Sequence, residues 1–293
     1  MVRDWPERFA GFRAAAMQAQ SPTAFAAVAA DVLAGARDVH LWLWVEGRKV
    51  ETYTLDRTGN RDEALLRVSV PNVEVLSDSV CLAMIAREGL PPVGYISISG
   101  WPADPVSIEP AIEFVSGLAA RGVERLVIDV RGNEGGAEAT ARRFASHLLR
   151  EQTIYARHRF RDRRAPDGWG RWRNRVIAPA APSGDGARRF EGQVVVLFGP
   201  RSLSATESFL LMMRHGARAV LIGETSGGSS GNPKPFDLGN GVVAYIPMWE
   251  IRCPDGSLLE GRGVAPDLGV RWKPQSGSSG DPMVEAALDI FEK

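Results

Sequence analysis

The chain predicts an α/β fold, on three observations. From Val93 onward, apolar runs of strand length alternate with amphipathic helical stretches. Two of those runs, 125–130 and 193–198, are apolar almost without a break, the pattern of strands covered on both faces. Each gives way to a short polar, turn-rich segment and then to a helix.

The elements follow in order. Two amphipathic helices, about 6–18 and 22–37, open the chain, with Phe25, Val28 and Val32 among the apolar positions of the second. Alternation at Trp42 and Trp44, then at Val50, Tyr53 and Leu55, predicts short strands as far as about residue 85. Beyond them come strand 93–99, helix 108–121, strand 125–130, helix 137–149, strand 193–198, helix 205–214 and strand 219–222. Residues 1–60 read as an N-terminal helical piece with the first strands, and 61–293 as an α/β core. No internal repeat is visible.

Composition bounds the function more than it names it. The 293 residues, 44% hydrophobic, suffice for one large core plus a smaller unit. Basic and acidic side chains balance at 35 each, which argues against a general nucleic-acid binder. Cys81 and Cys253 have neither metal-ligand spacing nor a disulfide framework. No run reaches membrane-span length and the first residues lack an apolar signal core, so a cytoplasmic protein without a membrane partner is the expectation.

Two strand-to-helix turns carry the chemistry. In the second, Ser204 lies at the mouth of a helix directly after the 193–198 strand. Unpaired amides and the positive end of the helix dipole at such a place stabilise an alkoxide or a neighbouring oxyanion. Simple capping is the alternative, since Ser202, Ser204 and Thr206 all make good caps. The first turn, 131–136, ends in Gly135 and Gly136, which allow positive φ and a close approach of main-chain N–H groups to a substrate oxygen. It lacks the phosphate-loop and dinucleotide-binding patterns.

Taken in chain order, RDVH at 37–40, VGYISI at 93–98, IDVRGNEGG at 128–136, SLSATE at 202–207, IGETSGG at 222–228, EGRGVAPD at 260–267 and Asp281 with its closing helix resemble the tail-specific, or C-terminal-processing, serine proteases, a family that includes the tricorn core protease. The resemblance covers the chain from about residue 22. It implies a crotonase-like (ClpP-like) spiral core with a small N-terminal helical subdomain. It also implies Ser204 as nucleophile, and an oxyanion hole made by the amide of Ala205 with that of Gly135 or its neighbour Gly136.

The chain departs from the processing branch of that family at its base. That branch uses a Ser/Lys dyad, but Ser229 stands where the lysine is expected, and Lys234 is five positions away. A dyad lysine must be desolvated and within reach of the serine, so the offset argues against this mechanism. The tricorn branch uses a histidine and a glutamate, and His40 and Glu260 occupy the matching motifs. A neutral imidazole takes the serine proton and a carboxylate fixes its tautomer. The serine that precedes this histidine in the tricorn core is Val39 here, which removes one polar support.

Bland alternatives exist for each residue. His40 can serve as a C-terminal cation and Glu260 as a turn residue. His147 falls on a helix face, His215 near a helix end, and His158 among arginines that would lower its basicity. Only about 50 residues separate His40 from Val93, too few for the peptide-tethering PDZ domain usual in the family.

The reading is a serine peptidase that works without metal or organic cofactor on a peptide or protein substrate, with no nucleic-acid partner. The alternative is a non-catalytic module on the same fold that binds a peptide or apolar ligand. Tricorn-like proteins assemble, so a homo-oligomer is among the states the resemblance implies. The arginine-rich segment 157–175 is a solvated face or a lid whose Arg159, Arg161 or Arg173 holds a substrate carboxylate; its interleaved aromatics would also suit single-stranded nucleic acid, which the balanced total charge makes a minor option.

Overall fold

A computed structural model describes residues 4–54, 58–181, 189–273 and 280–292; Leu55 lies outside them. In chain order the elements begin with α1 (Trp5–Gln18), α2 (Pro22–Leu33), β1 (Trp42–Val45), β2 (Arg48–Glu51) and α3 (Glu63–Ser69). Next are β3 (Glu74–Val75), β4 (Val80–Arg87), β5 (Leu90–Ile98), α4 (Glu109–Ala120), β6 (Arg125–Asp129) and α5 (Glu138–Ser146). Then follow β7 (Thr153–Phe160), β8 (Arg173–Ile177), β9 (Gln193–Phe198), α6 (Ala205–Met212) and β10 (Val220–Gly223). The chain closes with β11 (Pro233–Asp237), β12 (Val242–Pro247), β13 (Trp249–Arg252), β14 (Leu268–Gly269) and α7 (Pro282–Phe291).

These elements form two compact units, and the smaller is assembled from three stretches of chain: Met1–Asp56, Arg159–Arg171 and Ser229–Glu250. Its sheet runs β11-β12-β1-β2, antiparallel throughout. Ala26, Ala30, Leu43, Val45, Val242 and Ala244 form its core, so α2 packs on the sheet mainly through small side chains. Phe25 and Val28 are only half-buried. The helix stops at Leu33 rather than at Arg37: a 3₁₀ turn follows, and Arg37 adopts the left-handed conformation at φ 54° that ends it.

The larger unit holds a mixed sheet ordered β14-β10-β9-β6-β5-β4-β3. Strands β5, β6, β9, β10 and β14 are parallel, while β4 and β3 extend the sheet antiparallel. Val127, Val195, Leu197 and Ile222 of this sheet pack with Leu66 of α3 and with Met283, Val284, Ala287, Leu288 and Phe291 of α7. Trp101, Phe144 of α5 and Phe209 of α6 form an aromatic cluster, with ring centroids 5.0 to 6.4 Å apart. The unbroken apolar runs of β6 and β9 thus correspond to inner strands, as their pattern implies.

Helix α6 is shorter than its apolar pattern suggests. After Met212 it widens into a π turn over Met213–Ala217 and ends at Arg218, φ 56°. Strands β11 to β13 carry no clear alternation. Pro233 and Pro235 place β11 at the edge of its sheet, where missing N–H donors cost nothing to the ladder.

Candidate active site

Ser204 is the backbone outlier of the turn between β9 and α6. It has φ 56° and ψ −120°, outside the left-handed helical well and a conformation that a residue with a Cβ adopts only under constraint. The constraints are visible. Ser202, fully buried, accepts the Gly199 N–H at 3.1 Å and donates to the Val130 carbonyl at 2.8 Å, tying the ends of β9 and β6 together. The Leu203 N–H donates to the Asn133 carbonyl at 3.2 Å. Ser204 and Glu207 form a capping box at the start of α6: the Ser204 carbonyl accepts the Glu207 N–H at 2.9 Å, and the Ser204 N–H donates to Glu207 Oε2 at 3.3 Å.

The glycine turn lies against this elbow. A Cβ on Gly135, φ 113°, would stand 2.8 Å from Ser204 Cβ and 3.1 Å from the Leu203 carbonyl oxygen. One on Gly136, φ 127°, would stand 2.2 Å from the Trp101 carbonyl oxygen. Both positions therefore require glycine. The Gly135 N–H is taken by Asn133 Oδ1 at 3.0 Å. The N–H groups of Gly136 and Ala205 have no acceptor among the described residues. Of the two glycines expected to supply an oxyanion donor, Gly136 has the open amide and Gly135 the close approach.

Asn133, fully buried, organises the turn. Its Oδ1 also accepts the Thr206 hydroxyl at 2.7 Å, and its Nδ2 donates to the Ile98 carbonyl at 3.1 Å. Trp101 Nε1 donates to Thr206 Oγ1 at 2.9 Å, closing the network.

Glu207 is fully buried too, and sequence reasoning gave it no role. Its Oε1 accepts the Ser226 hydroxyl and the Gly228 N–H, both at 2.6 Å. Ser226 Oγ in turn accepts the Val264 N–H at 2.7 Å, and the Gly261 N–H donates to the Gly228 carbonyl at 2.7 Å. The loop carrying the exposed Glu260 is thereby anchored, through a buried carboxylate, to the first turn of the helix that follows Ser204. Its spacing, Ser-x-x-Glu at a helix start, was a signal that could have found it.

Beneath the glycine turn, Arg131 forks between Asp129 (Nη2 to Oδ2, 2.7 Å) and Asp281 (Nη1 to Oδ2, 2.8 Å), all three fully buried. Tyr95 donates its hydroxyl to Asp129 at 2.8 Å, and Asp281 caps α7 through the Met283 N–H at 3.0 Å. Burial alone would raise the Asp129 carboxyl, but the Arg131 charge and hydrogen bonds hold it at about 2. Asp281, with a weaker share of the same cation, is pushed up by burial.

His40 belongs to the smaller unit. Its N–H donates to Asp38 Oδ1 at 2.8 Å, and its Nδ1 lies 2.7 Å from the hydroxyl of Ser229, itself buried. Gly231 packs so closely that a Cβ there would come 2.7 Å from His40 Cβ. A serine thus supports the imidazole after all, supplied from 189 positions further along the chain rather than from position 39. Lys234 is exposed on β11, without the desolvation a dyad lysine needs.

The three arginines have different surroundings. Arg159 is forked onto Glu250 Oε2 at 2.9 and 2.6 Å, so its guanidinium is already committed to a carboxylate of its own chain. Arg161 lies over the Trp169 ring at 3.8 Å, and Arg173 is exposed on β8 opposite His158. His158 is indeed lowered, by burial first and then by Arg175 and Arg173. His147 and His215 are also lowered, chiefly by burial.

Fold and elbow together define a mixed α/β protein built around a constrained serine at a strand-to-helix turn. Residues 92–270, more than half of the chain, match peptidase family S41, and the chain belongs to that family. It is 24% identical over 251 residues to the carboxyl-terminal-processing protease of Picosynechococcus sp., covering 84% of this chain and 56% of that protein. To the carboxy-terminal processing protease CtpB of Bacillus subtilis it is 22% identical over 260 residues, covering 86% and 48%. The chain therefore spans about half the length of the curated relatives it matches.

Among solved structures, one from Parabacteroides merdae described as a candidate peptidase superposes with a TM-score of 0.77 at 18% identity, over 98% of this chain and 89% of that one. The photosystem II D1 C-terminal processing protease gives a TM-score of 0.53 at 18% identity, over 75% and 54%. At these identities the likeness establishes a shared fold.

Proposed function

We propose that the protein is a serine peptidase that hydrolyses peptide bonds through an acyl-enzyme on a crotonase-like (ClpP-like) core. The constrained backbone of Ser204 carries this reading. A serine that only capped a helix would keep ordinary extended angles and offer its hydroxyl to the helix amides. Here Ser204 holds φ 56° and ψ −120° even though it shares a capping box with Glu207, so capping alone does not account for its backbone, and the open amide of Ala205 lies beside it.

In this reading Ser204 Oγ attacks the scissile carbonyl while His40 takes its proton. With Nδ1 facing the Ser229 hydroxyl, Nε2 is the nitrogen that receives it. The tetrahedral oxyanion accepts hydrogen bonds from the Ala205 and Gly136 amides, which Gly135 allows to converge. His40 returns the proton to the departing amine, and a water, deprotonated by the same imidazole, cleaves the ester. Glu260 is the carboxylate that stabilises the imidazolium. The scheme needs no metal or organic cofactor, takes a peptide or protein substrate in the cytoplasm, and is compatible with a homo-oligomer.

The second reading, a non-catalytic peptide- or apolar-ligand-binding module, is favoured only by Val39. A fluorophosphonate probe separates the two: it should label one serine of the native protein, and the label should vanish in Ser204→Ala. An unlabelled native protein, or labelling that survives that substitution, would favour the binding module.

A further inference from the structure

The hairpin spanning 159–171 in the smaller unit is a hydrogen-bonded cationic platform, four of whose five arginines have no carboxylate partner among the described residues. We propose that it docks acidic segments of polypeptide substrates. The proposal rests on the peptidase reading above for the word substrate alone.

The charge is concentrated here against the trend of the chain. Residues 159–171 hold five arginines against two aspartates, in a protein whose basic and acidic side chains balance overall at 35 each. Elsewhere some exposed arginines are met by carboxylates, Arg87 by Glu285, Arg143 by Glu109, Arg201 by Glu134 and Arg218 by Glu151, while others such as Arg48 and Arg67 stand singly rather than in a cluster. In the hairpin Arg159 alone is so met among the described residues, by Glu250.

The two aspartates of the hairpin are occupied by its own main chain. Asp162 Oδ1 accepts the Arg164 N–H at 2.9 Å, and Asp167 Oδ1 accepts the Trp169 N–H at 3.1 Å. The other Asp167 oxygen stands 3.7 Å from Arg159. Arg161, Arg163, Arg164 and Arg171 are all exposed and have no carboxylate partner among the described residues. Like charges so close along one turn repel within a Debye length of about 8 Å, and an acidic ligand relieves that repulsion.

The frame that carries them is ordered. Asp162 N–H donates to the Gly168 carbonyl at 3.0 Å, Gly168 N–H to Ala165 at 2.9 Å and Gly170 N–H to Phe160 at 2.9 Å. Gly168 takes the positive φ, 73°, that the turn demands. Guanidiniums on a fixed frame fork onto carboxylates with less ordering cost than those on a loose loop.

Acidic polypeptide is the occupant rather than single-stranded nucleic acid. Nucleic acid needs an open aromatic face for base stacking. Trp169 already carries Arg161 at 3.8 Å and Arg159 at 4.7 Å.

The test uses the full chain as Ser204→Ala, so that binding is read without turnover. Fluorescence anisotropy is followed for a labelled Asp/Glu-rich peptide and for a Ser/Gln-rich peptide of equal length, at low and at high salt. The acidic peptide should bind at least about tenfold more tightly, the scale of one charge-assisted hydrogen bond. That preference should shrink as salt rises and be lost in R163S/R164S/R171S, whose circular dichroism and urea midpoint report that it remains folded. Equal affinities for the two peptides, an unchanged triple variant, or a single-stranded oligonucleotide that binds more tightly than the acidic peptide would each overturn the proposal. Failure of the peptidase reading shows instead in probe labelling, which this measurement does not use.

Discussion

A single residue, Ser204, joins the backbone and chemical arguments, and its variants separate the two candidate bases. Ser204→Ala and His40→Ala should each lower kcat by about 10³ or more, the scale seen for members of a catalytic triad, while Lys234→Ala stays near the parent rate. A large loss in the lysine variant beside an active His40→Ala protein would reinstate the Ser/Lys mechanism. Ser229 belongs to the same scale. Removing one hydrogen bond to Nδ1 should cost roughly tenfold in kcat, with KM little changed and the acidic limb of the pH–rate profile displaced. Ser229→Thr, which keeps the hydroxyl, should recover most of the loss, and an equal loss in both variants would mean that Ser229 only fills space. Ser204 and Ala205 were legible because strand, turn and helix are local patterns. Ser229 was not, since its partner is 189 positions away and nothing in either neighbourhood announces the contact.

At the scale of the element, the 131–136 turn owes its shape to two glycines with different tolerances. A Cβ on Gly135 meets the Ser204 side chain at 2.8 Å, whereas one on Gly136 meets the main chain of Trp101 at 2.2 Å. Gly135→Ala should therefore strain the turn, lowering the urea midpoint modestly, and lose about 10²–10³ in kcat, as when one oxyanion donor is displaced. Gly136→Ala should lower the urea midpoint further, because main chain cannot rotate aside. If Gly135→Ala keeps full activity, the turn is no part of the site. The strands on either side of this turn were readable from their unbroken apolar runs, and β9 keeps its expected bounds at Gln193–Phe198. The sheet of the smaller unit was half hidden. Its later strands contain Pro233, Pro235 and Pro247, and the helix on top buries Ala26 and Ala30, which carry little hydrophobic signal.

For the molecule as a whole, the buried Asp129–Arg131–Asp281 group couples stability to pH. The folded Asp129 carboxyl, near 2, lies below its ordinary value of about 3.9, so its contribution is complete above about pH 4 and fades as pH falls toward 2. Asp281 is shifted upward and works in the opposite sense, favouring the folded state on protonation. Arg131→Leu leaves buried Asp281 without its cation and Asp129 with only Arg61, 3.9 Å away, and should cost about 3–5 kcal/mol at neutral pH by urea denaturation. That cost should diminish toward pH 3, where both can be protonated; a pH-independent cost would assign it to packing alone. None of this was visible beforehand: the sequence shows Asp129 and Arg131 two positions apart, while Asp281 is 150 positions beyond the arginine. The composite make-up of the smaller unit bears on synthesis in the same way. Since His40 takes its hydroxyl support from Ser229 and packs against Gly231, the imidazole cannot be oriented until those residues, 189 or more positions later, have left the ribosome. The Ser204 elbow is completed no sooner, because Glu207 is tied through Ser226 to Val264 and Arg131 beneath the glycine turn to Asp281, so base and nucleophile are both set only after their own segments have been made.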